Sequence, residues 1–120
     1  MSNRKQALGR WGEETAAQYL QANGYTIRER NLHTSHGELD IIAERDGLLV
    51  FVEVKTRGSH SFAYPEASVT AGKQAHLLSA AEAYFQQHPE CGDTWQFDVI
   101  AVEWKPGQKP EIVHFENVIG

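Results

Sequence analysis

Asp40 lies among Leu39, Ile41 and Ile42, and Glu53 lies within Leu48-Leu49-Val50-Phe51-Val52-Glu53-Val54, the most apolar stretch of the chain. Burying an ionised carboxylate is costly unless a partner or a metal ion satisfies it. Acids inside core strands are therefore more informative than acids on a helix surface. Lys55 follows Glu53 by two residues, the spacing that places both side chains on one face of a strand. Two acids and a lysine are a set that can hold a hard divalent cation, Mg²⁺ or Mn²⁺, on oxygen ligands and meet a phosphate beside it. A cation held so fills its remaining positions with waters and substrate phosphates, where it can acidify a water and polarise a phosphoryl group.

A hairpin would bring the acids together. Glu38 to Glu44 and Leu48 to Thr56 are β-like by composition, and Arg45-Asp46-Gly47 between them contains the turn dipeptide Asp-Gly. If Asp46-Gly47 is a two-residue turn, Arg45 pairs with Leu48, Asp40 faces Glu53 directly and Glu38 faces Lys55. Directly opposed like charges destabilise a sheet, and a cation between them reverses the sign. A three-residue loop would move one strand's set to the other face. A four-residue loop would leave Asp40 and Glu53 diagonal neighbours, still able to share an ion.

The other elements are read from periodicity and breakers. From Arg4 to Asn23, Leu8, Trp11, Gly12, Thr15, Ala16, Tyr19 and Leu20 recur at helical spacing, and Gly24 stops the helix. Tyr25 to Arg30 reads as a short strand with Tyr25 and Ile27 on one face, and Arg28 and Arg30 wet on the other. Asn31 to Gly37 and Gly58 to Ala63 read as loops, and a second helix covers Thr70 to Gln87, ended by His88-Pro89. Trp95 to Trp104 and Glu111 to Asn117 complete an α-β-β-β-α-β-β order. The fold class that follows is α/β, a central sheet flanked by helices, in one domain spanning residues 1–120.

Composition bounds the rest. A chain of 120 residues with 41% hydrophobic content suits one compact core. Its longest aliphatic and aromatic run, Leu48 to Val52, is far short of the roughly 20 apolar residues that cross a bilayer, so no membrane role is expected. The N-terminus lacks the apolar core of a signal peptide, and the lone Cys91 suits a reducing compartment. The protein is expected to be cytoplasmic. A net charge of −5 argues against a protein that coats nucleic acid by bulk electrostatics. The acidity is uneven, however: residues 1–73 carry nine basic and nine acidic side chains, and residues 74–120 carry two and seven. A local phosphate-binding surface in the first part is compatible with that distribution.

Asp40 followed by Glu53-Val54-Lys55 on the next strand resembles the PD-(D/E)xK signature of restriction-endonuclease-like nucleases. More closely, Gly9-Arg10-Trp11-Gly12-Glu13, Asn31, Gly37-Glu38-Leu39-Asp40 and Phe51-Val52-Glu53-Val54-Lys55-Thr56-Arg57 are similar to the YraN family of small bacterial proteins, itself similar to archaeal Holliday junction resolvases. The resemblance covers nearly the whole chain. It implies a restriction-endonuclease-like α-β-β-β-α-β core with a mixed sheet, Mg²⁺ held by Asp40, Glu53 and the backbone carbonyl of Val54, and Lys55 orienting or activating water. Glu13 from the first helix would complete the catalytic set. DNA, branched or otherwise structured, would be the substrate, with contacts from Arg10, Arg57 and Lys73, and two symmetric cuts would call for a homodimer. His33, where the family often has arginine, and Ala63 after Phe62, where it often has glycine, depart from the pattern.

Plainer readings stand beside these. Glu53 and Lys55 could be a strand end emerging into solvent with Asp40 paired to Arg57, and Lys73 and Gln74 could be solvated helix residues. His33 and His36 are read as loop residues rather than zinc ligands. Asp98, an acid in the apolar strand Phe97-Asp98-Val99-Ile100, is read as a structural hydrogen-bonding group, and Trp11, Trp95 and Trp104 as core. A nuclease-fold module that binds nucleic acid or a protein without cutting is the alternative function.

Overall fold

The structure, a computed structural model, describes residues 4–58, 71–91 and 94–119. Helix α1 (Arg4–Ala22) leads into three antiparallel strands, β1 (Thr26–Thr34), β2 (Gly37–Arg45) and β3 (Leu48–Arg57). Helix α2 (Ala71–Gln87) and a single 3-10 turn (Pro89–Cys91) carry the chain to β4 (Trp95–Glu103), which lies parallel to β3, and β5 (Glu111–Phe115) closes the sheet antiparallel to β4. The strands lie in sequence order, β1-β2-β3-β4-β5. This is the α-β-β-β-α-β order with a mixed sheet expected from the sequence. The predicted loop from Gly58 to Ala63, the departure at Phe62-Ala63 and the start of α2 at Thr70 fall mostly outside the described residues.

Each face of the sheet has its own core. On one, Ala16, Ala17 and Leu20 of α1 pack on Ile41, Ala43, Val50, Val52, Ile100 and Val102. On the other, Ala80, Ala81 and Tyr84 of α2 pack on Leu39, Ile42, Leu49, Phe51 and Phe97. The alternation of Leu49 to Val52 between the two clusters explains why β3 reads as continuously apolar: it is covered on both sides. Phe51 anchors the α2 side, with the rings of Tyr84, Phe85, Trp95 and Phe97 all within 6.0 Å of its centroid.

The Asp46-Gly47 turn is the two-residue hairpin turn that the dipeptide predicts, with φ of 54° and 80°, and the register runs from Arg45↔Leu48 to Ile41↔Val52. Beyond that pair the expectation fails. Asp40 and Glu53, and Glu38 and Lys55, are not ladder partners. Arg30 and Ile41 lie on the α1 side, whereas Leu32 and Leu39, two residues away on each strand, pack on the α2 side. Strict alternation would keep residues two apart on one face, so the β1–β2 ribbon turns over at Asn31 and Asp40. Asn31 takes φ of 52°, a left-handed conformation that asparagine tolerates better than most residues.

Two other expectations change for related reasons. Strand β1 runs on to Thr34 through the segment read as a loop, because its backbone pairs with β2 as far as Thr34↔Gly37 whatever the polarity of its side chains. A register shift between Ile27 and Glu29 splits Arg28 from Arg30. Arg28 is half-buried against the Tyr84 hydroxyl and Glu90, and Arg30 pairs with Glu14 on the α1 side. Trp104 is 41% exposed and is not core, whereas Trp11 and Trp95 pack against the two clusters.

Gly12 is where α1 meets β3: a Cβ there would overlap the Thr56 side chain. Gly12→Ala is expected to destabilise the fold by about 1–3 kcal/mol, the usual range for overpacking. Thr56→Ala in that background should recover part of the loss in denaturant titrations. A Gly12→Ala protein as stable as the parent would contradict this contact.

Candidate active site

Asp40 sits where the β2–β3 ladder ends. Its Oδ2 accepts the Val54 backbone N–H at 2.9 Å, a donor that a continued ladder would direct to the Leu39 carbonyl. The carboxylate thus stands between the strands in place of a backbone oxygen. By the same alternation the Val54 carbonyl faces this side, away from β4. Asp40 and Glu53 line one small cleft with Glu38, Leu39, Phe51, Val52, Leu77 and Phe97. The shared patch therefore forms through the turned-over ribbon rather than through direct pairing.

Glu53 is half-buried on the α2 face. Its Oε1 lies 3.7 Å from Lys55 Nζ and also pairs with Lys73 from the first turn of α2. Its Oε2 is buried with no hydrogen-bond partner in the protein. A native structure seldom leaves a buried carboxylate oxygen unmatched, so that atom marks where a ligand cation could bind. The other buried orphan among the described residues is Nε of Arg57, two residues beyond Lys55.

Charge in the cleft is mostly negative. Burial pushes the Asp40 carboxyl up to about 6, opposed by the Val54 N–H and reinforced by the charges of Glu13, Glu53 and Glu38. Burial pulls the Lys55 ammonium below its ordinary value, with the neighbouring Lys73 adding to that effect and Glu53 opposing it. For Lys73 burial acts in the same direction, but its hydrogen bond and attraction to Glu53 outweigh it and raise its pKa.

The structure brings Asp40, Glu53, Lys55 and Lys73 together. Glu13 stands one shell further out: the Asn31 amide, oriented with its NH₂ toward the acids, donates to Glu13 at 3.0 Å and Glu38 at 3.3 Å. Glu13, Asp40 and Glu53 do not bring three carboxylate oxygens within 4.8 Å of one another. Arg10 is exposed on α1 and is not among the residues that pair with these acids. The bridging role of Asn31 could not be foreseen from spacing, because it depends on the left-handed turn-over of β1. The Lys73–Glu53 pair joins residues twenty positions apart and follows only from the packing of α2.

A second cluster lies on the α1 side. Asp98 is buried and its oxygens are taken: Gln96 and the Asn117 N–H both donate to Oδ1 at 2.9 Å, and His114 Nε2 lies 2.7 Å from Oδ2. The other ring nitrogen of His114 meets the Tyr19 hydroxyl at 3.1 Å. With Glu116 these groups place three ligand atoms within 4.8 Å, a set able to hold a metal ion. A cation there would have to replace hydrogen bonds that are already complete. The structural role read for Asp98 is thus accounted for by named partners, and His114 is the residue that the sequence reading missed.

A profile described as "Uncharacterised protein family UPF0102" matches residues 12–102. A relative from Syntrophomonas wolfei named "UPF0102 protein" is 48% identical over 92% of this chain and 95% of its own length. Another, from Syntrophotalea carbinolica, is 44% identical over 96% and 93%. These names state no activity. Among solved structures, "The structure of Pyrococcus Furiosus SfsA in complex with Ca2+" aligns with a TM-score of 0.43 at 16% identity, over 93% of this chain and 63% of that one, a likeness too weak to argue from.

The pKa of Asp40 has a consequence for stability. Its folded value lies above the ordinary 3.8, so the native state holds this proton more tightly than the unfolded chain does. The stability that proton lends is present at low pH and is lost as pH rises from about 4 to about 6. Asp40→Asn keeps an oxygen for the Val54 N–H and removes the charge. In metal-free buffer the variant should melt several degrees above the parent at pH 8, with the gap closing toward pH 4. A gap independent of pH would contradict the buried-charge reading of Asp40.

Proposed function

This chain belongs to the UPF0102 family, the YraN family of the sequence reading, and from that premise we propose that it is a divalent-metal-dependent endonuclease that hydrolyses phosphodiester bonds in DNA, with branched or structured DNA as the preferred substrate. The observation that carries the proposal is the cleft in which Asp40 and Glu53 meet at the end of the β2–β3 ladder, with the buried Oε2 of Glu53 unmatched and Lys55 beside it. Asp40, Glu53 and the Val54 carbonyl would hold the ion, Mg²⁺ or Mn²⁺, as oxygen donors of the kind hard cations take. Bound there, the ion supplies Lewis-acid chemistry, acidifying water and polarising the phosphoryl oxygens.

The chain's own residues supply the rest. The Val54 N–H fixes the Asp40 carboxylate, which keeps one oxygen outside that bond. Lys55, a compact cation held by Glu53, would orient the attacking water or neutralise charge on the phosphate. Glu13, tied to Glu38 through Asn31, adds negative potential around Asp40 and favours a cation in the cleft. Arg57 and Lys73, at the ends of β3 and α2 nearest the cleft, are the candidate phosphate contacts. No described helix is long and apolar enough to cross a membrane.

A second reading, a nuclease-fold module that binds nucleic acid or a protein without cutting, draws on the net charge of −5 and its concentration in residues 74–120. Both are tested by incubating the protein with linear duplex, single-stranded and four-way-junction DNA in Mg²⁺ or Mn²⁺. The parent should cut at least one substrate, and Asp40→Ala and Glu53→Ala should each lose activity on the order of 10²–10³-fold, the scale for removing a group that stabilises transition-state charge. Binding without cleavage under every divalent ion would favour the second reading. Undiminished cleavage by Asp40→Ala would remove the assignment of this site.

A further inference from the structure

Both ammonium groups near Glu53 converge on one of its oxygens. Lys55 and Lys73 meet Oε1, while Oε2 is buried and unmatched. Two cations crowd one oxygen and repel each other. They differ in how firmly they are placed. Lys55 stands on β3, a strand covered on both faces and two residues from Glu53 itself. Lys73 stands in the first turn of α2, the end of a helix where the backbone dipole disfavours a positive charge and where no acid precedes it in the turn. It reaches across to Glu53 on the sheet by a flexible four-carbon stem.

Lys73 also lines a second cleft, of about 190 Å³, with His36, Gly37, Glu38, His76, Leu77 and Ala80. Glu38 and Leu77 belong to both clefts, so Lys73 stands on the wall between the acid pocket and this outer space. A lysine at that wall can put its charge inward on Glu53 or outward toward whatever occupies the larger cleft.

We propose that Lys73 is a built-in counter-ion that neutralises Glu53 through Oε1 and so competes with a divalent metal on the same carboxylate, leaving for the outer cleft when the metal binds and there meeting a substrate phosphate. The inference rests on the metal-site reading above and adds a regulation to it: metal and nucleic acid favour each other because each satisfies one end of the same lysine exchange. A divalent ion at Glu53 repels both ammonium groups, and Lys73 is the one whose anchorage lets it move.

Mn²⁺ titration followed by electron paramagnetic resonance, without nucleic acid, tests this on the parent, Lys73→Met and Lys73→Arg. Methionine keeps an unbranched chain of similar length without the charge, and the position is half-buried at a helix end, so the fold should hold. Lys73→Met should bind Mn²⁺ about three- to tenfold more tightly than the parent, the scale of a partly exposed ion pair, and Lys73→Arg should bind like the parent. Equal or weaker binding by Lys73→Met, or equal tightening by Lys73→Arg, overturns the counter-ion role alone. No saturable Mn²⁺ binding by any of the three overturns the metal-site reading, and this inference with it.

Discussion

A carboxylate that takes the place of a backbone carbonyl between two strands sets the terms for the rest of this molecule. Asp40 accepts the Val54 N–H just where the ladder between β2 and β3 stops, and its burial is costly enough to hold its pKa near 6. That arrangement does two things together. It opens the strands without leaving the Val54 donor unsatisfied, and it concentrates negative potential at a point where Glu53 already carries an unmatched oxygen. The protein keeps an unfavourable charge where β2 and β3 part, and what that charge can hold is the functional question.

The surrounding fold is arranged around that point. Alanines and leucine of α1 cover one face of β3 and the aromatic cluster of α2 covers the other, so the strand bearing Glu53 and Lys55 is clamped from both sides. Gly12 lets α1 approach Thr56 closely, and Glu13 beside it reaches the acid set through Asn31. From the opposite face α2 delivers Lys73. The contrast with Asp98 is instructive: that acid is more deeply buried, yet Gln96, His114 and Asn117 satisfy it completely. Burial alone does not distinguish the two acids. The completeness of their hydrogen bonds does.

Much of this was legible in the residues. The Asp-Gly dipeptide specified the hairpin turn and the register beside it, and the apolar run of β3 marked it as a core strand. Acids embedded in such runs picked out Asp40, Glu53 and Asp98. What could not be read was the point at which alternation breaks. It depends on Asn31 adopting a left-handed conformation inside a strand, and strand periodicity presumes that no such break occurs. The same limit hid the extension of β1 to Thr34 and the separation of Arg28 from Arg30, since both follow from pairing and a register shift rather than from side-chain polarity. Lys73 on Glu53, and His114 on Asp98, are long-range meetings that only the packed fold supplies.

Among the described residues, two places could take a divalent ion, and they lie on opposite faces of the sheet, which makes the choice between them measurable. Anomalous diffraction from crystals soaked in Mn²⁺ near neutral pH locates the ion without reference to activity. Strong anomalous density coordinated by Asp40 and Glu53 is the result expected of a site whose unmatched oxygen calls for a cation. Density confined to Asp98, His114 and Glu116, or none beside Asp40, would contradict it.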